Sequence, residues 1–255
     1  MKTLFLILLI LSAAVNAQEF KKYLSEGDSL YYNFKIKEAF PLYKKAYELE
    51  PDNYNTLLNV VKIYNAVGEF KRKDHKQDEA KENFNSAINF SVKLINLFPD
   101  SSLAYTYSAV SYGNLARLTG GKERLNYARE IEKNAKKAVV LDSNNAIPYV
   151  ILGAFYREIS RLSWIERIFA NMLYGSVPDG SLQDSQKMLK TALEKNPNLI
   201  TANFQMALTY RAMDDKEKEK EYFQRVISLP LFDFRDPYLK KRAERFLKRI
   251  NEGKS

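Results

Sequence analysis

The chain contains no cysteine, one histidine (His75) and one tryptophan (Trp164) among 255 residues. Without cysteine there is no disulfide, no thiolate nucleophile and no thiolate metal ligand, so stability has to come from packing. His75 lies in "KRKDHKQ", among solvated charges and with no partner that would make it a general base. No cluster of His, Asp and Glu has metal-ligand spacing, so neither a metal nor a cofactor is expected. Glycine and proline are also scarce, at 9 and 8. Gly120-Gly121-Lys122 lacks the upstream glycine, the following Ser or Thr and the preceding strand of a phosphate-binding loop, so a turn between helices explains it better. β-Branched residues never alternate for long; apolar residues recur at three and four instead, which predicts an all-α protein.

The N-terminus carries an export signature. Lys2 is a short positive region, Leu4 to Leu11 an apolar one, and Val15-Asn16-Ala17 fits the small-x-small cleavage rule. A signal peptide over 1–17 is expected, cut between Ala17 and Gln18, with the mature protein periplasmic or secreted. The apolar run is short for a membrane span. The formal net charge is +9, which favours anionic surfaces without demanding nucleic acid, and export argues against nucleic acid further.

Four phrases recur: "ELEPDNYN" (48–55), "NLFPDSSL" (96–103), "VLDSNNAI" (140–147) and "EKNPNLIT" (194–201). In each, Pro (or Ser143) stops one amphipathic segment and Asp or Asn caps the next. Helix pairs are predicted over about 20–53, 54–101, 102–145, 146–199 and 200–230. In the first pair, Tyr23, Gly27, Leu30, Ala39, Tyr43, Ala46 and Pro51 resemble the roughly 34-residue helix–turn–helix unit of the tetratricopeptide repeat family. Ala207, Tyr210, Phe223 and Val226 give the last pair the same pattern. The stops at 51, 99, 143 and 197 lie 48, 44 and 54 residues apart, so the middle repeats are lengthened. The extra residues hold "KRKDHKQDEAKE", then Thr119-Gly120-Gly121, then a helix inserted at 161–174. After 236, Leu239, Ala243, Phe246, Leu247 and Ile250 form one stripe, with Asp236 as cap and Pro237 in the first turn. This predicts a capping helix over 236–252.

The inserted stretch "SRLSWIERIFANMLYG" (160–175) has a broad apolar face. Leu162, Ile165, Phe169 and Met172 form its stripe, widened by Trp164, Ile168 and Leu173. Such a face predicts burial against neighbours; the rival is a helix lying in a membrane surface. Trp164, Arg167, Gly175, Pro178, the Leu189–Ala192–Pro197 helix end and the Leu208–Tyr210 helix make residues 156–213 similar to the regulator of microtubule dynamics family. Looser similarity runs over 84–250. That resemblance implies a helical-repeat fold; its eukaryotic members associate with microtubules or mitochondrial membranes, and fold alone does not transfer such a role.

The expected fold is therefore a tetratricopeptide-like α-solenoid of antiparallel helix pairs over 18–255, with irregular insertions and a capping helix. By that repeat register, Asn55, Asn59, Lys62, Tyr107, Asn114, Arg157, Gln205 and Arg211 project toward a concave face. Amides, a phenol and cations suit an extended peptide, and Asn59 and Arg211 suit its carboxylates. The expected activity is a non-enzymatic scaffold in the bacterial cell envelope that binds a protein or peptide segment. The alternative is a membrane-surface protein using the basic C-terminal helix or the Trp164 helix; the basic runs at 70–76 and 239–249 suit anionic lipid, glycan or an acidic partner.

Overall fold

The computed structural model describes residues 2–162, 171, 172, 175 and 178–252, with side chains from residue 16 onward. Among the described residues there are eleven helices and no strand. None of these helices is long and apolar enough to cross a membrane. They gather into two compact units, Met1–Pro99 and Asp100–Ser255.

The first unit holds α1 (Lys2–Tyr32), α2 (Ile36–Leu49), α3 (Tyr54–Lys73) and α4 (Gln77–Leu97). α1 pairs with α2 and α3 with α4, and α2 joins the pairs by packing on α3. Small residues let the helices approach. A Cβ on Gly27 would lie 2.8 Å from the Tyr43 ring, and one on Gly68 only 2.4 Å from Phe84. Ala39 and Ala46 are fully buried beside Tyr43. α1 runs unbroken through residues 17 and 18.

The second unit holds α5 (Ser102–Ala116), α6 (Gly121–Leu141), α7 (Ala146–Ser160), α8 (Leu182–Lys195), α9 (Ile200–Ala212), α10 (Lys216–Ser228) and α11 (Asp236–Asn251). α5 pairs with α6, α7 with α8 and α9 with α10; α9 also packs on α7 and α11. Ala243 is buried and Leu239, Phe246, Leu247 and Ile250 are partly so, against Ile200, Phe204, Ala207, Phe223 and Val226. The stripe thus covers the apolar end of the last pair.

Local chemistry sets most helix starts. The Asn53 side chain accepts the N–H of Asn55 and Thr56, Ser101 that of Ala104, and Asn145 that of Ile147. Ser181 and Asp184 form a full capping box. At 197–200 the N-cap is Leu199, which has no side-chain acceptor; the Asn203 amide instead donates to the carbonyls of Pro197 and Leu199. Asp236 departs from its expected role. The N-cap is Arg235, and Asp236 Oδ2 accepts the N–H of Phe232 and Asp233, pinning the loop before the helix. The first two excesses go into helices, since α3, α4 and α6 have 20, 21 and 21 residues against 14 in α2, whereas the third falls between α7 and α8.

Of the inserted stretch, Trp164, Ile165, Ile168 and Phe169 lie outside the described residues. Leu162 is half-buried against Ala128, Ile131, Phe155 and Ile159. Met172 was expected to be buried with it but is 69% exposed. The apolar periodicity continues through Met172, but the burial seen at Leu162 does not. Gly175 takes a left-handed φ of +82° beside the Arg129 guanidinium.

Candidate binding faces

In the first unit a carboxylate organises the candidate residues. Asp28 Oδ1, on α1, accepts from the Tyr43 hydroxyl at 2.7 Å and from Asn59 Nδ2 at 2.8 Å. Burial, then the Asp28 carboxylate, push the Tyr43 hydroxyl well above its ordinary pKa, so it stays a donor. Asn59 Oδ1 lies 3.4 Å from Lys62 Nζ, and Lys62 sits 4.6 Å from the Tyr31 ring centroid and 5.3 Å from that of Tyr32. Tyr32 is 65% exposed. The Asn59 amide is thus spent on a side chain of its own unit. Asn55 is exposed at the start of α3, where its backbone N–H serves the cap.

The second unit brings together three of its five candidates. Arg157, on α7, is buried; Nη1 donates to the Gln205 carbonyl on α9 at 3.2 Å and Nη2 to Glu158 at 3.1 Å. Desolvation lowers its pKa, Glu158 opposes this, and Arg161 and Arg242 lower it further. Arg161, at the end of α7, and Arg242, on α11, thus lie close enough to act on Arg157. The Gln205 side-chain oxygen is buried and accepts no described hydrogen bond.

Around Arg211, near the end of α9, the face turns aromatic. Phe223 and Phe246 stack with centroids 5.0 Å apart and Phe204 meets Phe223 edge-on. The Arg211 guanidinium lies 4.4 Å from the Phe246 centroid. Arg242 lies 5.0 Å from Phe204, 5.6 Å from Phe246 and 5.8 Å from Tyr238. Arg211 Nε stands 3.4 Å from Glu219 Oε1, an ion pair whose geometry falls short of a hydrogen bond. Glu219 is nearly fully buried, and burial raises its pKa against the pull of Arg211.

Tyr107 and Asn114, on α5, belong elsewhere. Both are half-buried; the Tyr107 carbonyl accepts from Ser111, and Asn114 Oδ1 accepts from Arg117 at 2.6 Å. Sequence reasoning missed Asp28, Glu219, Tyr238, Arg242 and Phe246. Phe246 had a signal as part of the α11 stripe, and Arg242 as part of the basic run at 239–249. Among the described residues, no group of three His, Cys, Asp or Glu side chains is placed to hold a metal ion.

The model of the family "Regulator of microtubule dynamics protein 1-3" matches residues 23–251. The chain is similar to Regulator of microtubule dynamics protein 1 of Caenorhabditis elegans, 27% identical over 142 residues, covering 56% of this chain and 63% of the relative. It is 24% identical to Regulator of microtubule dynamics protein 2 of Bos taurus over 174 residues, 68% of this chain and 42% of the relative. It thus spans less than two thirds of either. Among solved structures, a thermophilic TPR protein of Thermus thermophilus superimposes with a TM-score of 0.62 at 18% identity, over 90% of this chain and 99% of that one. PilF of Pseudomonas aeruginosa gives 0.51 at 11% identity, over 93% and 94%. The fold class is thereby that of tetratricopeptide-like antiparallel helix pairs.

Proposed function

The chain belongs to the regulator of microtubule dynamics family, and we propose that it works as a non-enzymatic scaffold binding a protein or peptide segment on the α7–α9–α11 face. The observation that carries this is the pair Arg211 and Arg242, from α9 and α11, set over the Phe204 and Phe246 rings, with Arg157 tying α7 to the Gln205 carbonyl of α9. Side chains already held by packing lose little entropy when a partner arrives. The microtubule role in the relatives' names is not carried over, since the chain spans only part of their length.

Affinity capture with the full chain and with Arg242→Glu tests the face. A partner held by the wild type and lost by the variant is expected. Equal capture by both would reject it.

The proposed location is the bacterial cell envelope, after export. Lys2, the Leu4–Leu11 run and Val15-Asn16-Ala17 support this, and the family match starts only at residue 23. Terminal sequencing of the protein from its own cells should find Gln18 first; an intact Met1 would oppose export. The membrane-surface reading has one observation of its own: Leu231 and Phe232, 45% and 77% exposed, precede the basic α11. Salt-sensitive flotation with phosphatidylglycerol vesicles would support it, and its absence would remove it.

A further inference from the structure

We propose that the exported protein carries residue 18 not as open glutamine but as its cyclic lactam, pyroglutamate, so that α1 starts from an uncharged terminus. This rests on the export reading, in which the cut falls between Ala17 and Gln18, and adds a covalent modification to it.

Glutamine at this position makes the chemistry available. Once Ala17 is removed, the α-amine and the side-chain carboxamide of Gln18 belong to one residue and can close a five-membered ring. The neutral amine attacks the carboxamide carbon Cδ. A bond from the amine nitrogen to Cδ forms, the Cδ–Nε2 bond breaks, and a proton from the amine leaves with Nε2 as ammonia. No oxidant, reductant or other co-reactant enters. The two reacting groups need not find each other, which removes the entropic cost of bringing them together. Asn16 to Glu19 are exposed, and among the described residues the Gln18 amide makes no hydrogen bond that would tie it away from its own amine.

The helix favours closure. α1 runs through the cut, from Lys2 to Tyr32, and its docking begins just beyond. Phe20, Tyr23 and Leu24 are half-buried, the Lys45 ammonium lies 5.1 Å from the Tyr23 ring centroid, and Gly27 rests against Tyr43. Cleavage therefore leaves helix up to its new end. The first N–H groups there lose the carbonyls that preceded them, and that end becomes the positive pole of the helix. An α-ammonium at this pole meets like charge, to which Lys21 and Lys22 add; the opposing carboxylate in the first turn is Glu19. The same field favours the neutral amine, which is the form that attacks. Closing the lactam removes the charge altogether. It also removes the free amine that an aminopeptidase needs, so the docking residues Phe20 and Tyr23 stay on the helix.

The test is mass spectrometry of the tryptic N-terminal peptide QEFK (18–21) from the envelope fraction of the protein's own cells. The lactam has no free amine, so mass rather than stepwise degradation reads it. An isotope-labelled QEFK with open glutamine, added at lysis, counts any cyclisation caused by handling. The expected peptide is lighter than QEFK by one ammonia, in severalfold excess over the cyclised control. Gln18→Ala has no carboxamide to close on, so it should be cut at the same bond and start with a free amine.

Open Gln18, or lactam no more abundant than the control shows, would overturn the inference and leave export standing. So would loss of ammonia persisting in Gln18→Ala, because the change would then lie elsewhere in the peptide. An intact Met1, or a first residue other than Gln18, would remove the export reading and the lactam with it.

Discussion

Gly68 and Gly113 both sit inside helices, in α3 and α5, and replacing each with alanine should shift stability in opposite directions. In an open helix this change gains about 0.5–1 kcal/mol, because alanine loses less backbone entropy on folding. At Gly113 an added Cβ would meet only Ile131 Cδ1, at 3.9 Å, an ordinary contact. Gly113→Ala should therefore stabilise by about that amount. At Gly68 the Cβ would lie 2.4, 2.7 and 3.0 Å from three atoms of the Phe84 ring. Phe84 is fully buried, so the ring cannot move aside without displacing other core atoms. Overpacking of this kind costs about 1–3 kcal/mol, occasionally more, which exceeds the propensity gain. Gly68→Ala should lose about 1–2 kcal/mol net. Urea unfolding followed by circular dichroism measures both. A Gly68→Ala variant as stable as the wild type would refute the claim that α3 and α4 are in direct backbone-to-ring contact.

Removing the Asp28 carboxylate with Asp28→Ala strands the Tyr43 hydroxyl and the Asn59 amide, so it should cost about 2–4 kcal/mol by urea unfolding, against about 1 for Tyr43→Phe. Equal losses would show that Asp28 does not serve both donors. Ser181→Ala breaks the capping box and should lower stability by about 1 kcal/mol, read as a fall in Tm of about 2–4 °C. Burial raises the Glu219 carboxyl above its unfolded pKa, so its ionised form is the less favoured one in the folded protein. That penalty is present above the folded pKa and disappears as pH falls below the unfolded one. Glu219→Gln should thus match or exceed wild-type Tm at neutral pH and lose any advantage in acid; a lower neutral Tm would mean that attraction to Arg211 outweighs desolvation. Asp236, raised in the same direction by burial, should behave alike when its pH profile is compared.

Helix boundaries were legible because the chemistry that sets them is local. Asn53 and Asn145 bond to N–H groups two or three residues away, so these stop-and-cap phrases carry their own instructions; in the second phrase Ser101, not an Asp or Asn, is the cap. Leu199 and Asp236 show the limit of that rule. At the first an amide farther along the chain ties the turn, and at the second the carboxylate turns back toward the preceding loop. The candidate binding residues were less legible. Periodicity put Asn59 and Arg211 on suitable helix faces but said nothing of what stands opposite. The residues opposite them are Asp28, 31 positions before Asn59, and Phe246, the ring on which Arg211 rests.

The sequence by itself determined the all-α character, the helix-pair repeats and the family resemblance in the central segment, since apolar period, caps and motif spacing are written along the chain. Only the tertiary structure decided which polar side chains satisfy one another and which remain available. Asn59 is spent on Asp28, while Arg211 is braced by Glu219 and Phe246. The physical reason is that hydrogen bonding and cation–ring contact depend on distances of a few ångströms between helices, and those distances follow from packing rather than from spacing along the chain.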